Sequence, residues 1–274
     1  MRKLLYSCVA TAALALGVNA ASAADLYTPP PAEVAIAPAP AAVGGWYVGI
    51  HGGAAFPLAM KTSVDAVWED SDVGDAGGFF GNGKTHFDTG WLVGGTVGYE
   101  MGNGLRGELE VTYLNAGNKK VKGSWGYDAY DAGDNLIDWD AGNYSIKTKG
   151  HLDATFVLAN LWYDFNSMGA FKPYVGGGVG VAFVGQNLKA GGFKLLDDSS
   201  TAFAFQAGAG VKWALSDAVD LDVGYRFKGA LDANLKQNRL WVGQDGEVAL
   251  ATQSKDDLYV HTVQVGLTFK FGGY

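Results

Sequence analysis

The stretch Pro173-Tyr174-Val175-Gly176-Gly177-Gly178-Val179-Gly180-Val181-Ala182-Phe183-Val184 decides the fold. Val175, Val179, Val181 and Phe183 share one parity; Gly176, Gly178, Gly180 and Ala182 share the other. Period-two alternation belongs to a strand with one apolar face. The second face carries almost no side chain, whereas a solvated sheet would carry Lys and Glu. Glycine inside a strand weakens it, so a whole glycine face needs a reason. The crowded interior of a narrow barrel supplies one, because side chains from opposite walls meet there. The apolar face then points to lipid.

The same pattern recurs on both sides. It predicts eight strands at about Trp46–Phe56, Phe87–Glu100, Leu105–Leu114, His151–Phe165, Tyr174–Val184, Thr201–Ala214, Val219–Lys228 and Leu258–Phe271. The fourth is apolar on both faces in its middle, and Asn160 and Asp164 are assigned inward. Connections alternate in length. Short ones fall at Met101–Gly104, Asn166–Lys172 and Leu215–Ala218, and long ones at about Pro57–His86, Ala116–Gly150, Gly185–Ser200 and Gly229–Asp257. Three short turns and four long loops describe an all-β, eight-stranded, antiparallel up-and-down transmembrane β-barrel, its short turns periplasmic and its four long loops extracellular. Closure of an even-numbered ring leaves no unpaired edge.

Other features agree with a membrane setting. Trp46, Trp91, Tyr99, Tyr113, Trp213, Tyr225 and Phe271 stand near the ends of the apolar face, where an aromatic girdle is expected. Arg2 and Lys3, the apolar run Leu4–Val18 and Ala21-Ser22-Ala23 read as a Sec-type signal peptide over residues 1–23, which directs the chain to the cell outer membrane. Cys8, the single cysteine, leaves with it, so no thiol chemistry is expected. Residues 24–43, rich in Pro and Ala, read as an extended, disordered linker, and residues 44–274 as the barrel domain. The net charge of −8 argues against nucleic acid as a partner.

The segments Gly45-Trp46-Tyr47-Val48-Gly49, Arg106-Gly107-Glu108-Leu109-Glu110, Pro173 to Gly180 and Asp222-Val223-Gly224-Tyr225-Arg226-Phe227 resemble the alphaproteobacterial opacity/surface-antigen group of small outer-membrane barrels. OmpA-like transmembrane domains are wider relatives. The resemblance spans Gly44 to Phe271. It implies the barrel and leaves the activity open, since members are described as porins, adhesins, immunogenic surface proteins and haem binders. It also implies contact with the barrel-assembly machinery, which reads a terminal aromatic. Phe271 keeps register with Phe269, Leu267 and Val265, but Gly272-Gly273-Tyr274 follows and Tyr274 is out of phase.

The inward face carries charge. Glu100, Glu108, Glu110, Asp164, Asp220 and Asp222 oppose Arg106, Lys212, Arg226, Lys228 and Lys270. Nearly balanced charges in a narrow lumen are expected to pair. Such a network plugs the barrel; a rearranging one would gate a small pore. The inward glycines argue for the pore, since they leave space. Arg226 is expected to face a buried carboxylate. His51 points inward as a network member, and His86, His151 and His261 fall on loops or strand ends with no H-E-x-x-H spacing. No metal, cofactor or enzymatic activity is expected.

The long loops hold the remaining candidates. Trp125, Tyr127, Tyr130 and Trp139 stand among Asp128, Asp131, Asp134, Asp138 and Asp140, and would anchor a host protein or glycan. Asp70-Ser71-Asp72 opens like a calcium loop, but the twelfth position is Gly81. Asp75-Ala76-Gly77, Asp131-Ala132-Gly133 and Asp140-Ala141-Gly142 read as turns. Lys119, Lys120 and Lys122 would meet lipopolysaccharide phosphates at the outer rim, beside outer-membrane lipid. Three functions follow: a structural or surface-interaction barrel, a small-solute porin-like channel, or a loop-borne adhesin or receptor.

Overall fold

The computed structural model describes residues 44–70, 75–165, 169–242 and 246–271. The signal peptide, the linker, Ser71 and Asp72 of the calcium-like motif, Asn166 and Tyr274 lie outside the described residues.

The strands are β1 (Gly45–Pro57), β2 (Met60–Asp70), β3 (Ala76–Phe87), β4 (Gly90–Glu100), β5 (Leu105–Tyr130), β6 (Leu136–Lys147), β7 (Lys149–Asp164), β8 (Phe171–Ala190), β9 (Phe193–Ala214), β10 (Val219–Val242) and β11 (Gly246–Phe271). Among the described residues, eight of them close a ring in the order β1-β4-β5-β7-β8-β9-β10-β11, and β11 returns to β1. Every pairing is antiparallel. The fold is therefore an all-β, up-and-down barrel. Closure satisfies the backbone of each ring strand on both sides, which lipid demands.

The outward face is apolar and exposed. Ile50, Val93, Leu109, Val111, Leu161, Val179 and Val265 all stand on it. In water so large a patch would be an aggregation surface; in lipid it is solvated. From Trp46 to Phe56, about ten residue steps along β1 span about 33 Å and project to about 25 Å at a tilt of ~40°. That matches the apolar height of an outer membrane.

The three extra strands correct the reading of the long connections. Across residues 57–86, β2 (Met60–Asp70) and β3 (Ala76–Phe87) pair, and residues 116–150 hold the outer half of β5 and all of β6. β11 pairs β2, β2 pairs β3, and β3 pairs the outer half of β5, which pairs β6. The connection at 185–200 is β8 and β9 running on to a tight turn at Gly191-Gly192, both with positive φ, as a two-residue hairpin requires. Asp140-Ala141-Gly142 lies inside β6 opposite Tyr127, Gly126 and Trp125 rather than in a turn. The sheet continues outward because hydrogen-bonded hairpins satisfy backbone groups that an irregular loop would leave to water. Asp131–Asn135 is a true turn: the Gly133 and Asn135 amides donate to Asp131 Oδ1, each at 2.9 Å.

Candidate functional site

The lumen is built in two layers. The lower layer, at the short-turn end, is polar. Arg106 enters from β5 and is 2% exposed. Its Nε donates to both oxygens of Asp164 on β7 at 3.0 Å. Its Nη1 donates to Glu108 at 3.1 Å and to the Tyr47 hydroxyl at 3.3 Å. Glu108 also accepts from Tyr47 at 2.8 Å, and from Trp162 and Asn160 at 3.2 Å each. Lys212 reaches Glu100 at 3.3 Å, and Lys270 reaches Asp220 at 2.9 Å.

One step further in, Glu110 collects four donors. Thr112 and Gln206 reach it at 2.6 Å, Asn160 at 3.0 Å and Lys228 Nζ at 2.5 Å. Lys228 is fully buried and also donates to Gln206 at 2.8 Å. His51 Nε2 lies 2.9 Å from Thr112 Oγ1 and joins this group.

Arg226 corrects one expectation. Among the described residues it makes no direct carboxylate contact. Its guanidinium lies 4.2 Å from the Trp162 ring centre and donates to the Tyr174 hydroxyl at 2.8 Å. Tyr174 in turn donates to Asp222 at 2.9 Å. The charge is met by an aromatic face and a relayed hydrogen bond, a pairing that desolvation strengthens. The rings of Tyr47, Trp162 and Tyr174 bind this layer together. Reading charges alone missed them; their parity on the inward face was the available signal.

The inward glycines face backbone carbonyls of the neighbouring strand and side chains of the polar layer, so the space they were expected to leave is filled. A Cβ on Gly98 would run into the Tyr47 ring, one on Gly210 into the Tyr174 hydroxyl, and one on Gly176 into the Leu161 carbonyl oxygen, with the Trp162 ring 2.7 Å away. The space each glycine gives up is occupied. The cavity among Gly49, His51, Arg106, Glu110 and Arg226 measures about 30 Å³, room for a water or two.

Above the polar layer the lumen is largely apolar, with Thr62, Thr85, Gln186, Thr252 and Ser254 buried among the apolar side chains. Leu92, Leu114, Leu152, Phe156, Leu158, Val184, Leu258 and Val260 are buried there in one cluster with Met60, Leu188, Leu196 and Leu235. Lys228 sits at the boundary, its Nζ 5.5 Å from the Phe156 ring centre. The apolar side chains of this layer pack against one another through dispersion contacts.

Of the girdle residues, Trp46 meets Tyr99 at 5.4 Å and Trp91 meets Tyr113 at 5.6 Å. Trp213 stacks on Phe171 at 5.1 Å, and Phe271 ends β11, exposed. Tyr225 stands further along the apolar face, where its hydroxyl is 2.6 Å from His261 Nδ1. His261 thus lies within β11, not at a strand end.

The loop aromatics divide. Trp125 and Tyr127 turn into the mouth of the extension, stacked on each other at 6.0 Å, and Phe79 stacks on Trp125 at 6.3 Å. With Val64, Ile146, Leu188 and Leu195 they line a cavity of about 690 Å³. Tyr130 donates to Asp128 at 3.3 Å, and Trp139 is 68% exposed on β6. At the hairpin tip, the hydrogen bonds from the Asn135 amide, the Asn135 side chain and the Gly133 amide hold the Asp131 carboxyl below its ordinary range.

Comparison with known proteins bears on this architecture. An uncharacterized protein of Brucella suis biovar 1 is 28% identical over 94% of this chain and 95% of its own length. Outer membrane protein PagN of Salmonella typhimurium is 28% identical over 61% of this chain and 65% of its own. Among solved structures, Neisserial surface protein A is similar at 19% identity and a TM-score of 0.39, over 83% of this chain and 97% of that one. OprG of Pseudomonas aeruginosa is similar at 16% identity and a TM-score of 0.42, over 84% and 97%. The model of the family described as surface antigen matches residues 62–271. The chain belongs to the surface antigen family of outer-membrane β-barrels.

Proposed function

We propose that this chain is a closed barrel of the cell outer membrane, exported on its signal peptide, with a structural role and a surface-directed one. The short turns face the periplasm and the β-extension stands outside the cell. The filled lumen carries this reading. A solute would have to break the Arg106 and Glu110 clusters and then part a largely apolar layer. What remains free to act is the extension. No catalytic role is proposed. Contact with the barrel-assembly machinery through a C-terminal aromatic is part of this proposal.

Liposome swelling with the refolded chain tests closure: monosaccharide influx no faster than in empty liposomes is expected, and faster influx would favour the channel. Orientation is tested by a membrane-impermeant maleimide on intact cells. Asn143→Cys, exposed on β6, should label, and Asp217→Cys, in a short turn, should not. The reverse pattern would overturn the orientation.

The cavity at the mouth favours a second reading, reception of a small, mostly apolar ligand. Its volume lies in the range of ligand sites. Thr148, 7% exposed, lines it with a buried hydroxyl that has no hydrogen-bond partner among the described residues. Titration with 1-N-phenylnaphthylamine should quench Trp125 fluorescence in the wild type and not in Leu188→Arg. Equal quenching in both would sink this reading.

A further inference from the structure

Cross-strand register places lysines face to face on the outside of the extension. Lys84 on β3 is directly opposite Lys122 on β5. Lys120 on β5 is directly opposite Lys147 on β6. Lys149 on β7 is directly opposite Lys189 on β8. Their chain neighbours Thr85, Val121, Thr148 and Leu188 are buried inward, so the lysines point out. Nearby lysines have partners: Lys119 meets Asp88 at 3.1 Å, Lys61 meets Asp256 at 3.5 Å, and Lys194 meets Asp197. Among the described residues, the six opposed lysines have no carboxylate within ion-pair distance.

Like charges directly opposite each other destabilise a sheet. Lys120 and Lys122 are also two residues apart on one face, about 7 Å, so four of the six form one contiguous patch on β3, β5 and β6. His86, opposite Lys120, registers the field. Partial burial first, and then Lys120, Lys122 and Lys84, hold its imidazole below its ordinary range. A chain with net charge −8 has thus gathered unneutralised cations at one level. That level lies beyond the outer aromatics Trp91 and Tyr113 and below the acidic tip at Asp128, Asp131 and Asp138.

We infer that the opposed lysine pairs bind the phosphate groups of lipopolysaccharide in the outer leaflet. Two ammonium groups across neighbouring strands can straddle one phosphate, as point-charge donors. The position selects a lipid over a soluble anion: the patch faces sideways, just past the apolar belt, where the headgroups of surrounding lipid lie. The bound phosphates would remove the cross-strand repulsion and fix the barrel in its lipid annulus. The inference rests on the outward orientation of the extension proposed above. The binding test below is made in micelles, where orientation plays no part, so the two can fail separately.

The test uses the refolded chain in nonionic micelles, titrated with purified rough lipopolysaccharide, with the same material dephosphorylated by hydrofluoric acid, and with inorganic phosphate. Saturable binding of the phosphorylated form is expected, weakened by salt. Lys84→Gln/Lys122→Gln and, independently, Lys149→Gln/Lys189→Gln should each weaken it at least about tenfold. Lys236→Gln, exposed on β10, should not change it. Without lipopolysaccharide the double variants should melt at the wild-type temperature or above, because repulsion is relieved. Unchanged affinity in both double variants, or equal binding of dephosphorylated material, would overturn the inference. Inorganic phosphate competing at equal concentration would overturn the choice of a lipid.

Discussion

Replacing Lys228 by Met removes a fully buried ammonium from 2.5 Å of Glu110 Oε1 and 2.8 Å of Gln206 Oε1. The gross attraction across that distance is about 7 kcal/mol at an effective dielectric constant of ~20. It is offset by the desolvation of both ions, several kcal/mol each, so the pair adds little against neutral residues of the same shape. Removing one member is different. Glu110, 2% exposed, would keep Thr112, Asn160 and Gln206 as donors but lose its counter-charge. The expected loss is about 3–5 kcal/mol. Lys228→Met/Glu110→Gln should recover most of it and lie within about 1–2 kcal/mol of the wild type, because no buried charge is left unmatched. Reversible urea unfolding of the refolded chain in micelles, followed by tryptophan fluorescence, measures all three variants. A loss below ~1 kcal/mol for Lys228→Met, or a double variant whose loss is the sum of the singles, would refute the claim that this pair is buried away from bulk water.

Other expectations follow from the same structure. Gly176→Ala sets a methyl group against the Leu161 carbonyl oxygen and the Trp162 ring and should destabilise by about 1–3 kcal/mol; an unchanged unfolding midpoint would show slack in the polar layer. Val111→Arg places a cation on the lipid face and should cost about 2–4 kcal/mol if the site is near mid-bilayer; refolding yield and heat-modifiable migration read it, and a neutral result would move that face out of lipid. The Asp131 carboxyl is held below its ordinary range, so the turn it closes is fully stabilised above the unfolded pKa of ~3.9 and released as pH falls through the lower folded value. The Gly133 and Asn135 amide shifts should titrate below the ordinary aspartate midpoint, and titration at or above it would contradict the hydrogen bonds drawn to Asp131.

The ring was legible because period two survives in every barrel strand but β7, whose middle is apolar on both faces, and because glycine marks the inward parity where a solvated sheet would show lysine. Asn160 and Asp164 were the only cues to the phase of β7, and the structure turns both inward, where Arg106 and Glu108 meet them. The outer hairpins were hidden by composition. Asp and Gly at 128–142 look like turn chemistry, yet most of those residues pair across β5 and β6, and their alternation is visible only once the partner strand is known. Charge balance in the lumen was readable, but not the partners. Arg226 meets Trp162 and Tyr174, contacts between β10 and strands β7 and β8 that no local spacing encodes. The lysine pairs are likewise a property of register: Lys84 and Lys122 are distant in sequence and face each other only because β3 joins the outer half of β5.

On the proposal above, two stacked layers, one ionic and one largely apolar, seal this barrel. Single-channel recording of the refolded chain in a planar lipid bilayer tests it most directly, with insertion confirmed by heat-modifiable migration. The expected record is silent across the voltage range. Discrete, reproducible current steps would contradict the account and mean that the Arg106 and Glu110 clusters part to open a path.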